Sequence, residues 1–192
     1  DMATSARRAF LDSLVARVLE PSGYDHVVQF PGPAGANAVE AALRLARKAT
    51  GRQCVLYLEG SFHGMSLGAS SVSSGSVAAG DGSRLNTRAV PFATDLDSLL
   101  HLERALAEER PAALVVETVQ GEGGVRPVHP DWLRSAHELC ASLGALLVID
   151  DKGNAMDDRI GPLRQPMVTA TGIILGFMLN FLATWVKSSA KL

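Results

Sequence analysis

The sequence predicts an α/β fold built on a mainly parallel sheet. Three observations carry this. Segments with apolar residues at helical spacing alternate with short apolar runs. Those runs are continuous rather than alternating, as expected of strands covered on both faces. Glycine-bearing turns punctuate the alternation, which is the pattern of βαβ units. No internal repeat interrupts it.

The elements follow in order. Residues 4–19 read as a helix, with Phe10, Leu14, Val15 and Val18 at helical spacing and Thr4 or Ser5 as N-cap. Pro21-Ser22-Gly23 stops it, and residues 26–30 form a short strand. Residues 36–50 form a second helix, with Ala38, Ala42, Leu45 and Ala49 on one face and Gly51 at the position after its end. Residues 54–58 are a buried strand. Thr94 or Asp95 caps a helix that runs to about Glu109, and a strand follows at 114–117. Residues 131–143 form a helix closed by Gly144, and residues 145–149 a continuous apolar strand.

Composition narrows the classes. A 192-residue chain with 47% hydrophobic and 20% charged residues can bury a core. A net charge of −2, with no basic run, argues against a nucleic-acid surface. Cys54 and Cys140 lie among apolar neighbours without metal-ligand spacing, so both read as buried thiols of a reducing compartment, with no metal site. Charges spread through residues 1–20 predict no secretory leader and a cytoplasmic location for residues 1–151.

The pattern changes after Asp151. Residues 152–166 are polar and punctuated by glycine and proline, a linker. Residues 167–186 then run without a charge, between Arg164 and Lys187, with Trp185 at one edge. That length matches a hydrocarbon core, so the segment reads as an apolar, candidate transmembrane helix, with residues 187–192 as a tail. Gly172 and Gly176 form a Gly-x-x-x-Gly pair that would let two such helices approach.

Four segments fall where an open α/β sheet places ligands, at strand ends. The first is Phe30-Pro31-Gly32-Pro33-Ala34-Gly35-Ala36. A glycine turn opening a helix gathers unpaired N–H groups and a positive dipole end, which suits a phosphate; the alternative is a tight turn without ligand. The second is Gly60-Ser61-Phe62-His63-Gly64-Met65, where a flat aromatic lies between small residues; the alternative is a core Phe62 and a loop His63. The third is Glu117-Thr118-Val119-Gln120-Gly121-Glu122-Gly123-Gly124, in which Glu117 ends an apolar run and can face a site. Glu122 reads as a surface residue. The fourth is Asp150, a carboxylate at the end of a buried strand. Such a group needs a partner, either a protonated ring nitrogen or a protein group such as an arginine or a helix end.

A phosphate cradle, a stacking ring and a buried acid together describe pyridoxal 5'-phosphate. On the four segments above and Leu147-Val148-Ile149-Asp150-Asp151, residues 1–151 resemble the large domain of class III (subgroup II) aminotransferases, a type I pyridoxal-phosphate transferase fold. Gly35-Ala36-Asn37-Ala38-Val39-Glu40-Ala41-Ala42 and Val116-Glu117-Thr118-Val119-Gln120-Gly121-Glu122-Gly123-Gly124 resemble the diaminobutyrate–2-oxoglutarate branch. The resemblance implies transfer of an amino group between an amino acid and a 2-oxo acid, and a homodimeric assembly. It implies that Gly35 and Ala36 give N–H groups to the cofactor phosphate. Phe62 would stack on the pyridine with His63 beside it, Asp150 would bind the ring nitrogen, and Glu117 and Gln120 would lie on the substrate side.

Departures qualify this. Ala34 stands where the family often carries Ser or Thr. Lys152-Gly153-Asn154 follows the acid instead of the family's glycine-rich continuation, and no lysine stands in the Ser-Lys context of the Schiff-base residue. No catalytic lysine is therefore assigned, and no useful turnover is expected. A reading of another class is a tail-anchored, non-enzymatic interaction module built from an aminotransferase-like piece.

Overall fold

The computed structural model describes residues 4–21, 28–75, 85–95, 97–150 and 168–169. Five strands form one parallel sheet in the order β2-β1-β3-β6-β7: β1 Val55–Leu58, β2 Thr87–Val90, β3 Ala113–Glu117, β6 Leu146–Asp150 and β7 Val168–Thr169. A separate antiparallel pair, β4 Val119–Gln120 and β5 Arg126–Pro127, forms a small hairpin after β3.

Both faces of the sheet are covered, which explains the continuous apolar runs. On one face, Val55, Tyr57, Ala113, Val115 and Val148 pack with helix α2, Gly35–Thr50, and with Ala69 of helix α3, Leu67–Ser71. On the other, Leu56, Leu58, Leu114, Val116, Leu147 and Ile149 meet helices α4, Asp97–Glu109, and α5, Pro130–Ser142. Alternate strand residues thus serve opposite layers. The predicted mainly parallel α/β architecture is the one observed.

Local signals explain most boundaries. Gly51 takes a left-handed φ of 70° and its N–H reaches the Arg47 carbonyl at 2.9 Å, closing α2. Asp95 accepts from the Ser98 N–H at 3.0 Å at the start of α4. The Ala145 N–H returns to the Cys140 carbonyl at 2.8 Å beyond α5.

Several expectations are corrected. Helix α1 spans Ser5–Leu14, with Thr4 Oγ1 accepting from the Arg7 N–H at 3.2 Å, and the chain then widens into a π-helical turn over Val15–Leu19. No residue of α1 is buried; Phe10 instead meets Phe30 at 6.0 Å between ring centres. Residues 28–30 are not strand, and residues 26–27 lie outside the described residues. The buried stripe of α2 is Ala38, Val39, Ala42, Leu43 and Ala46, whereas Leu45 and Ala49 face solvent, so the packed face is rotated from the one expected. Strand β6 runs Leu146–Asp150 rather than over the expected 145–149, so it includes Asp150. Within the run expected as a helix over 167–186, Val168–Thr169 form β7, bonded to β6 by sheet pairing, so these two residues are not helical. The rest of that run, the 152–166 linker and the 187–192 tail lie outside the described residues. Among the described residues no helix is long and apolar enough to cross a membrane.

Candidate active site

Strand order locates the site. After β1 the chain moves to the β2 edge, and after β3 it moves the other way, to β6. Adjacent strands whose connections diverge leave a crevice beyond their carboxyl ends. The loop after β1 and the hairpin after β3 line this crevice, and the end of β6 lies next to it.

Glu117 closes β3 with no exposed surface. Its Oε1 accepts from the Phe62 N–H at 2.7 Å and its Oε2 from the Gly121 N–H at 3.4 Å, so one carboxylate ties the β1 loop to the β3 hairpin. A buried carboxylate needs such donors, because desolvation without them is costly. Asp150 is 4% exposed and His63 is 3% exposed. Asp150 Oδ2 stands 2.8 Å from His63 Nδ1. A carboxylate only accepts, so this bond places the hydrogen on Nδ1 and orients the ring. His63 Nε2 is buried and has no hydrogen-bond partner among the described residues. Among the described residues, the side-chain partner of Asp150 is thus His63. The His63 main chain is fixed as well, its N–H donating to Ser73 Oγ at 2.8 Å.

The same loop reaches the helix opening. Gly64 has a φ of +127°, and a Cβ there would fall 2.8 Å from Ala36 Cβ. Only a residue without a side chain allows the loop to lie this close to the start of α2. His63-Gly64 therefore joins the acid at β6 to the turn at Gly35. At that turn Ala34 is the N-cap residue and makes no side-chain capping bond. The first N–H groups of α2 are left uncapped by side chain, at the positive end of a 16-residue helix. Glu40, one turn further, accepts from Ser66 Oγ and the Gly68 N–H, each at 2.6 Å, and ties α3 to the same helix.

Gln120 is fully buried but turned to the protein. Its Nε2 donates to the Glu59 carbonyl at 3.0 Å, and its Oε1 accepts from Arg126 Nη2 at 2.6 Å. Arg126 also donates from Nη2 to the Glu59 carbonyl at 3.1 Å and lies over the Phe92 ring, 4.2 Å from its centre. Sequence reasoning missed Arg126, since two of its partners, Glu59 and Phe92, lie more than thirty residues away and only Gln120 shares its hairpin. Glu122 is exposed, as expected.

These features define an α/β protein whose candidate site residues gather at the carboxyl ends of β1, β3 and β6. The chain matches the class-III aminotransferase family over residues 6–152 and belongs to that family. A diaminobutyrate–2-oxoglutarate transaminase of Nocardia farcinica is 47% identical over 162 residues, covering 79% of this chain and 37% of that protein. One from Streptomyces avermitilis is 44% identical, with 79% and 38% covered. The chain thus spans little more than a third of these relatives' length. Among solved structures, a lysine aminotransferase from M. tuberculosis aligns with a TM-score of 0.66 at 26% identity, covering 78% of this chain and 40% of that one. The ornithine aminotransferase from Toxoplasma gondii, whose active site holds PLP at partial occupancy, aligns with a TM-score of 0.60 at 29% identity, covering 78% and 35%.

Proposed function

We propose that the chain is part of the large domain of a pyridoxal-phosphate aminotransferase of the diaminobutyrate–2-oxoglutarate type, whose whole form moves an amino group between an amino acid and a 2-oxo acid. One observation carries this: the His63-Gly64 step lies against Ala36 on one side and binds Asp150 on the other. A phosphate at Gly35 and Ala36 and a ring nitrogen at Asp150 are the two ends that such a loop would separate. The bound group would supply an electron sink for the substrate's amino carbon. Phe62 would cover its ring, His63 would hold Asp150 in place, and Glu117 would fix the Phe62 main chain. Gln120 would act through the hairpin, because both ends of its amide are already occupied.

Among the described residues, this group would be held by hydrogen bonds and packing, without a covalent link. The lysine within the described residues, Lys48, stands in the last turn of α2. At 1.5 Å per residue it lies about 20 Å along the helix from Gly35. Lys152, Lys187 and Lys191 are outside the described residues. The chain alone is therefore expected to bind the cofactor reversibly and not to transaminate.

The test is a pyridoxal-phosphate titration followed by borohydride reduction and peptide mass analysis, with sedimentation to read dimer formation. Saturable absorbance changes, weakened by Asp150→Asn and without a pyridoxyl-lysine, are expected. No saturable binding would overturn the cofactor reading. A single reduced adduct on one lysine would overturn the non-covalent one. The uncharged run at 167–186 is tested separately by carbonate washing: retention in membranes assigns it to a bilayer, and release assigns it elsewhere.

A further inference from the structure

A second cleft, of about 490 Å³, opens between the segment after β2 and the start of α5. Phe92, Thr94, Val125, Arg126, Val128 and His129 line it. Its size lies in the range of small-molecule sites.

Arg126 sets its chemistry. Nη2 is held by Gln120 Oε1 and the Glu59 carbonyl, and the guanidinium is stacked on Phe92. Among the described residues no hydrogen bond is made by Nη1 or Nε, and Nε is buried without a partner. The cation is thus fixed in place, with no anion against it among the described residues. Among the described residues no carboxylate bonds to it, and the bonds it makes are to neutral oxygens. Asp131 is the acid nearest in sequence on α5, and its Oδ1 is taken by Arg134 at 2.6 Å. A rigid, partly desolvated guanidinium is a stronger oxyanion receptor than a mobile surface one. The loss of side-chain freedom has already been met in the free protein.

Val125 gives an independent pointer. It is a β-branched residue at a φ of +54°, and it is 75% exposed beside Arg126. This conformation is strained for valine, and strain of this kind gathers at ligand sites. The geometry points to a carboxylate subsite: a small carboxylic acid with an apolar body, its carboxylate on Arg126 Nη1 and its body against Val125 and Val128. A carboxylate suits this cleft better than a phosphate, because one cation and a mainly apolar lining would not offset a second negative charge. The assignment does not depend on the cofactor.

The test is calorimetry with two branched monocarboxylates, 4-methylpentanoate and 4-methyl-2-oxopentanoate, against the full chain without cofactor, with inorganic phosphate as the comparison. Backbone amide shifts of Val125, Arg126 and His129 locate the binding. Saturable binding of either acid, with phosphate weaker, is expected. Arg126→Met should weaken it about tenfold or more, and Arg126→Lys should retain part of it. Arg126 also holds Gln120, so Thr94→Glu supplies a second variant that leaves this clamp intact. An acid on the cleft wall should abolish binding while the melting temperature stays unchanged. The assignment is overturned if neither acid binds, if phosphate binds more tightly, or if Thr94→Glu binds as the parent does. Asp150→Asn should leave carboxylate binding untouched, which separates failure here from failure of the cofactor reading.

Discussion

Replacing Gly60 by alanine tests whether the Arg126 clamp holds the crevice loop. Gly60 has a φ of +82°, and a Cβ there would strike Arg126 Nη2 and lie 3.0 Å from Gln120 Oε1. The guanidinium would have to withdraw. That breaks its bonds to Gln120 and the Glu59 carbonyl and lifts it from Phe92. An alanine at positive φ costs about 1 kcal/mol. The two bonds contribute about 1 kcal/mol each, taken low because one faces solvent. The stacking adds about 0.5 kcal/mol. Gly60→Ala should therefore destabilise by roughly 3–4 kcal/mol in urea unfolding followed by circular dichroism. In an Arg126→Met background the clamp is already gone, and the same change should cost only about 1 kcal/mol. Equal costs in the two backgrounds would refute the clamp and leave backbone strain alone as the cause.

Other outcomes follow from the buried groups. His63→Leu removes the partner of Asp150 at 4% exposure, and should cost about 3 kcal/mol in urea unfolding; Asp150→Asn in that background should recover part of it. An unchanged midpoint for His63→Leu would show that the acid has another partner. Burial pushes the Cys140 thiol up to about 12, and burial with the nearby Glu109 pushes Cys54 up to about 11, from 9.0. The folded state therefore keeps protons that the unfolded chain releases. This contribution is whole below pH 9 and is lost as pH rises towards 11, by at most about 1.4 kcal/mol per pH unit for each thiol, and less for the more solvated Cys54. Cys140→Ala should flatten that slope between pH 9 and 11, and an identical slope would show that the thiol is not the cause. Leu114→Ala, at a site with no exposure between α4, α5 and the sheet, should cost about 3 kcal/mol, and a cost below 1 kcal/mol would place it outside the core.

The readable parts of the fold are those whose cause is local. β1, β3 and β6 announce themselves because both their faces are buried, so no polar residue breaks the run. α2 is bounded by a turn and a C-terminal glycine that act within a few residues. β2 was not legible, because it is an edge strand whose Thr87, Arg88 and Ala89 are only half-buried and mimic a loop. The apolar spacing of α1 reveals a helix but not its surroundings, and none of it is buried. In the site, the candidates at strand ends were legible from position alone. The His63–Asp150 pairing was not, since it joins residues 87 apart in sequence. Arg126 shows only its hairpin partner Gln120 locally, because Glu59 and Phe92 converge on it only after the sheet has formed.

The strand order also sets a timetable for the ribosome. When β2 has emerged, β1 has one neighbour in hand and α2 is already made to cover Val55 and Tyr57. Leu56 and Leu58 point the other way, and their cover, Leu102, Leu106 and Trp132, has not been translated. A nascent chain halted near residue 95 thus displays a bare greasy flank, and should be held by a chaperone that a chain extended past Ser142 no longer engages.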